Sequence, residues 1–225
     1  MKREKVICPH CEKEQDEAPG VISTNCRNCG KYFPVQLTRK KQAVRMPKTS
    51  RSIVCFQCGS EQKVIPDALS TQCPECSTYL NLKNYDLSGA CKEIINTYGT
   101  VRFQSGCHYR GPEVRAKSME ISGRVEAHLS AETHVILKKE VRVGGRISTP
   151  DVQVETRAQA HVARLRIDTL QVFGLLESDE VRAARSILIK PGGVLVAKKI
   201  SAPELHVEEG GGCHGAFATT LPPSE

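Results

Sequence analysis

The 225-residue chain contains no tryptophan, and only 4% of its residues are aromatic. So few rings argue against the core of a large globular enzyme. No apolar run approaches the roughly 18 residues of a membrane-spanning helix, and the opening MKREKVICPH is not a signal peptide. The motifs GxSxG and HExxH are absent, as is a Walker loop. Charged residues at 25% and hydrophobic residues at 39% exclude wholesale disorder. The expectation is a soluble protein of the cytoplasm, with no small-molecule substrate and no enzymatic activity.

Cysteine is what the chain has in excess. Of its 11 cysteines, eight form CxxC pairs: Cys8/Cys11, Cys26/Cys29, Cys55/Cys58 and Cys73/Cys76. The pairs belong to an internal duplication at an offset of 47 residues, in which CPHCEKEQ…STNCRNC recurs as CFQCGSEQ…STQCPEC. Two CxxC turns about 15 residues apart can direct four thiolates at one ion, the arrangement of a zinc ribbon. Gly30 and Gly59, directly after their pairs, suit the turn. The expected cofactor is zinc, two ions with four cysteines each. A rubredoxin-type iron centre has the same spacing and stays open, and a disulfide framework is disfavoured without a secretory signal. Four thiolates close the coordination sphere, leaving no place for a catalytic water. Such ribbons are modules for contact, and a protein partner is expected there.

The expected organisation is zinc ribbon 1 at 1–33, a basic linker at 34–52, zinc ribbon 2 at 53–86, a β-helix at 94–217 and a tail at 218–225. The linker carries Arg39, Lys40, Lys41, Arg45, Lys48 and Arg51 and no acid. It reads either as a solvated tether or as a contact for nucleic acid or the anionic inner face of a membrane.

From about Ile94 onward a template recurs: VRAKSMEI, ISTPDVQV and ISAPELHV are its clearest copies. The last apolar residues of successive copies are Phe103, Ile121, Leu137, Val154, Val172, Ile189 and Val207, at intervals of 16–18 residues. That period is too short for a helix pair. Alternating apolar residues separated by Gly, Ser, Thr and Pro indicate short strands joined by bends. A parallel β-helix of six to seven coils follows, with stacked aliphatic ladders in place of aromatics. A β-sandwich also has closely spaced strands but gives no reason for one template to return. A β-helix ends in coils with unpaired backbone groups. Phe217 at the last coil and Phe103 and Tyr109 at the first are therefore candidate contacts for end-to-end self-assembly, unless the ribbons or the tail fold over the ends.

The stretches MEISGRVEAHLSA, EVRVGGRISTPDVQVE and KKISAPELHVEEGGGCHGAF resemble the bactofilins, polymer-forming bacterial cytoskeletal proteins. The resemblance runs over roughly residues 94–217. It implies a right-handed β-helix that forms filaments without nucleotide and scaffolds cell-shape or envelope machinery. Bactofilin cores are flanked by short termini, some of them membrane-targeting, whereas this chain carries two ribbons there.

Cys91, Cys107 and Cys213 stand apart. Gly106-Cys107-His108 and Gly212-Cys213-His214 look alike, but neighbours on a strand point to opposite faces. Buried ladder cysteines are the better reading, although metal bridging between subunit ends stays open. His128, His134, His161 and His206 share no ligand spacing. Two other functions remain beside the scaffold: a nucleic-acid-binding protein multimerised by its β-helix, and a hexapeptide-repeat acyltransferase, whose strict six-residue period is missing.

Overall fold

The computed structural model describes residues 3–18, 20–35 and 50–218. They fall into two compact units, Met1–Ser50 and Arg51–Glu225. The first holds two antiparallel hairpins, β1 (Glu4–Ile7) with β2 (Glu14–Glu17) and β3 (Ser23–Asn25) with β4 (Tyr32–Pro34). The second opens on the same pattern, β5 (Arg51–Val54) with β6 (Glu61–Val64) and β7 (Ser70–Gln72) with β8 (Tyr79–Asn81). The duplication extends to the interior. Val6, Phe33 and Val35 are buried with Cys8 and Cys26, and their counterparts Ile53, Leu80 and Leu82 are buried with Cys55 and Cys73. These clusters are too small to hold a fold by themselves, which leaves the cysteine groups to stabilise it.

The rest of the second unit is a β-solenoid of about seven turns. Its strands are β9 (Tyr85–Leu87), β10 (Ala90–Cys91), β11 (Ile95–Asn96), β12 (Thr100–Phe103), β13 (His108–Ile121), β14 (Arg124–Leu137), β15 (Glu140–Val154), β16 (Gln159–Val172), β17 (Leu175–Ile189), β18 (Val194–Ser201), β19 (Glu204–Val207) and β20 (Gly212–Ala218). They form one 12-stranded sheet in which each coil pairs with the next in parallel. The sheet starts at Tyr85, so 85–86, expected in ribbon 2, are solenoid residues.

The repeat noted in the sequence is the register of this sheet. Leu87, Phe103, Ile121, Leu137, Val154, Val172, Ile189 and Val207 pair in succession as one column. Ile95, Val114, Leu129, Ile147, Leu165, Val181, Ile200 and Phe217 form a second. Strand alternation turns both columns inward, where they make a continuous aliphatic core. Bulges at the corners, such as Arg110/Glu113 and Val143/Arg146, absorb unequal coil lengths and explain why the interval wanders.

On the outside, charges alternate from coil to coil. Arg102 reaches Asp86 at 3.5 Å and Glu120 at 3.4 Å, and Lys138 reaches Glu120 at 2.8 Å and Glu155 at 3.7 Å. Lys138 draws the Glu120 carboxyl below its ordinary range. Among the described residues, no helix is long and apolar enough to cross a membrane.

Candidate metal centres and solenoid ends

All four CxxC pairs close the same turn. The N–H of the residue after the second cysteine donates to the carbonyl of the first: Glu12 to Cys8, Gly30 to Cys26 and Gly59 to Cys55 at 2.8 Å, and Ser77 to Cys73 at 2.9 Å. That residue has positive φ each time, 57° at Glu12, 71° at Gly30, 74° at Gly59 and 58° at Ser77. The turn folds each pair of sulfurs toward one point, and the hairpins bring two turns together.

Within each group the four Sγ atoms lie within 4.8 Å of one another. Cys11 and Cys26 are 3.4 Å apart and Cys8 and Cys29 3.8 Å; Cys58 and Cys73 are 3.6 Å apart and Cys55 and Cys76 3.7 Å. A tetrahedral ion with metal–sulfur bonds of about 2.3 Å spaces its ligands about 3.8 Å apart, so both groups fit such an ion. All eleven cysteines are free thiols.

Local hydrogen bonds favour the ionised form at Cys26 in the first group and at Cys73 and Cys76 in the second. Cys26 is drawn down to about 6, first by the N–H of Cys29. Cys73 is drawn down to about 6, first by the Ser60 hydroxyl at 3.1 Å and then by the N–H of Cys76. Burial pushes Cys55 up to about 11. Cys76 in the second group is also drawn down, first by the Thr78 hydroxyl, and a bound cation would ionise the remaining thiols.

Ribbon 2 is joined to the first coil through Tyr98. The Tyr98 hydroxyl donates to the Val54 carbonyl at 2.6 Å and accepts the Phe56 N–H at 2.8 Å. It therefore clamps the backbone on both sides of the candidate ligand Cys55. Its ring stacks on Phe56 with centroids 5.8 Å apart, and only 3% of the residue is exposed. From the last residue of β8 onward, residues 81–84 lie across the same corner. Asn81 accepts the Tyr98 N–H at 2.9 Å, Lys83 accepts the buried Thr97 hydroxyl at 2.7 Å, and the Asn84 side chain accepts the Thr100 N–H at 2.8 Å. Backbone groups that a bare edge would leave unpaired are satisfied here.

The two ends of the solenoid differ. At the N-terminal end the first rungs of the two inward columns are covered, Leu87 at 8% exposure and Ile95 at 2%. At the C-terminal end the last rungs, Val207 at 40% and Phe217 at 41%, are open. Among the described residues no further strand pairs with β20 beyond β18.

Phe103 and Tyr109, expected at a polymer contact, are instead core residues. Both are buried and meet edge to face at 5.6 Å, because the coil that starts at Tyr85 covers them. Phe217 alone of the three is exposed. Arg51 lies in β5 and donates to the Leu82 carbonyl at 3.5 Å, which turns its head toward the chain. Arg39, Lys40, Lys41, Arg45 and Lys48 fall outside the described residues. Cys107 is buried while His108 is exposed, and burial pushes the Cys107 thiol up to about 11, the opposite of an activated nucleophile.

The Tyr98 clamp does not follow from the cysteine spacing or from the repeat. The signal is a departure within the duplication. Ribbon 1 reads CPHC and ribbon 2 CFQC, so Phe56 supplies the N–H that Pro9 lacks.

Residues 81–163 match the family model Bactofilin, described as polymer-forming cytoskeletal. The matched segment covers the first coils of the solenoid and less than half of the chain. No curated protein and no solved structure matches it.

Proposed function

We propose that the protein is a cytoplasmic structural scaffold that assembles with itself, without nucleotide, through the ends of its solenoid into filaments. Its metal-loaded ribbons recruit a protein partner to the assembly. The observation that carries the reading is the open last coil. Val207 and Phe217 are the final rungs of columns that are fully buried for five successive coils before them, and Leu205 and Cys213 lie half-buried beside them. A second solenoid end would bury this apolar surface and pair the free edge of β20. The bactofilin match agrees with it. We assign zinc to both cysteine groups on ligand type and spacing.

The ribbons supply the recruiting surface. Ile7, Ile22 and Tyr32 are exposed in ribbon 1, and Val54, Leu69 and Tyr79, each 47 residues later, are exposed in ribbon 2. An apolar trio kept on the outside of both copies suits a repeated contact with a partner protein.

Sedimentation of the full chain, without nucleotide, beside Phe217→Arg tests the assembly. The unsubstituted chain is expected to associate. The variant should sediment as a monomer with an unchanged β-sheet spectrum, because an arginine on the last rung charges the apolar contact. Assemblies that survive the substitution would show that the C-terminal coil is not the contact.

A further inference from the structure

Stacked coils neutralise much of the solenoid's outward charge in pairs. Arg102 lies opposite Glu120 and Arg110 opposite Glu126, bonded at 3.4 Å and 2.9 Å. His161 lies opposite Glu177 at 3.7 Å. One face departs from this pattern. On either side of the inward residues Ile147, Leu165 and Val181, strand alternation turns Arg146 and Ser148, Arg164 and Arg166, and Glu180 and Arg182 outward. The register sets Arg146 directly against Arg164, and Arg166 directly against Arg182. Like charges so placed repel.

The nearby acids leave this array unneutralised. Glu180, opposite Arg164, is bonded to Arg182 at 2.7 Å. At the neighbouring corners Asp168 reaches Arg185 at 4.0 Å and Asp179 holds Lys198 at 2.7 Å. Among the described residues no carboxylate makes an ion pair with Arg146, Arg164 or Arg166. Arg124 and Arg142 are also opposed, but there Glu126 is bonded to Arg124 at 2.8 Å. Arg164 and Arg166 are exposed, and Arg146 and Arg182 half-buried.

Four guanidinium groups around one carboxylate are completed by an anion. Coils about 4.8 Å apart, and residues about 7 Å apart within a strand, make the array about 10 Å long and 7 Å wide. Arginine at all four positions supplies planar donor forks suited to phosphate oxygens, and the Ser148 hydroxyl, opposite Arg166, adds a donor. None of these six positions carries an aromatic ring to stack on a base or an aliphatic chain to enter a lipid interface. Along a nucleic-acid strand one phosphate follows another at about 3.4 Å of helix axis, so about three pass over the array.

We propose that this face binds the phosphodiester backbone of duplex nucleic acid, with Arg146, Arg164 and Arg166 on successive phosphates. Contacts of this kind position a duplex without reading its bases. The site does not depend on the assembly reading, because one chain carries the whole array.

The full chain is titrated against a labelled mixed-sequence DNA duplex of about 20 base pairs. Arg164→Gln/Arg166→Gln should weaken binding about tenfold or more at about 50 mM salt, and flatten the slope of log affinity against log salt by about 1.8, the share of two phosphates. Arg110→Gln/Arg124→Gln removes the same charge from cations that Glu126 already holds, and should change affinity less than about twofold. A second readout needs no ligand. Arg164→Gln relieves the opposition to Arg146, so the thermal midpoint should rise by about 1–3 °C. Equal losses in both double variants, or no loss in either, would overturn the site. Loss of cosedimentation with phosphatidylserine vesicles at unchanged duplex affinity would give the face to lipid headgroups and overturn nucleic acid as its partner. A lower midpoint in Arg164→Gln would show the arginines to be neutralised within the chain, against the premise.

Discussion

At the scale of single residues, the four CxxC turns are the same backbone device executed with unequal side chains. Gly30 and Gly59 meet the positive φ at no steric cost, whereas Glu12 and Ser77 hold it with a Cβ. A non-glycine residue in this region costs on the order of 1 kcal/mol, and the surrounding turn must hold it there. Ser77→Gly should therefore raise the stability of metal-loaded ribbon 2 by about 1 kcal/mol. Gly59→Ala should lower it by a similar amount. Thermal unfolding followed at the thiolate–metal absorption band reads both, and equal midpoints for the two variants would refute the assignment of strain. Nothing lies within 4 Å of a Cβ built at Gly59, so the effect there is backbone conformation and not crowding.

At the scale of elements, the solenoid coils are held apart by little more than a peptide group. A Cβ on Gly145 in β15 would lie 2.0 Å from the Ala127 carbonyl oxygen of the coil before it. Next to it, a Cβ on Gly144 would meet only the Glu126 side chain at 3.9 Å. Gly145→Ala should cost roughly 1–3 kcal/mol, since backbone on both sides must shift to admit the methyl group. Gly144→Ala should be nearly neutral. Denaturant unfolding of the pair checks this, and equal costs would place the coils further apart than described. The same close stacking lets single bulges absorb coils of unequal length, because an extra residue can be expelled at a corner while the inward columns stay in register.

At the scale of the whole molecule, stability has two separate sources. The solenoid buries columns of Val, Ile and Leu that reinforce each other from coil to coil, a nearest-neighbour design. The ribbons bury a handful of side chains each and depend on their cysteine groups. Metal analysis of the purified chain should return about two ions of zinc per molecule, as the two tetrahedral four-thiolate groups imply. Strong chelation should then unfold the ribbons and leave the main β-sheet transition near its original temperature. A single shared transition that moves with the metal would show that the solenoid depends on the ribbons for its folding.

The sequence determined the inventory of this protein. Four CxxC pairs and an offset of 47 residues were enough to group the cysteines, because metal ligands from tight turns are local. The seven apolar residues from Phe103 to Val207 were enough to establish the coil register, because stacking one coil on the next forces like residues into columns. The ends were another matter. Tyr98, Phe103 and Tyr109 are similar in composition and nearby in sequence. Yet one is clamped beneath ribbon 2 and the other two lie inside the core. Which of them is covered depends on where the coil at Tyr85 passes and on the route that 81–84 take across the corner. Those are contacts between segments whose sequences carry no common period. Burial at an end is a property of what packs over it, and only the tertiary structure decided that, among the described residues, one end of the solenoid is closed and the other open.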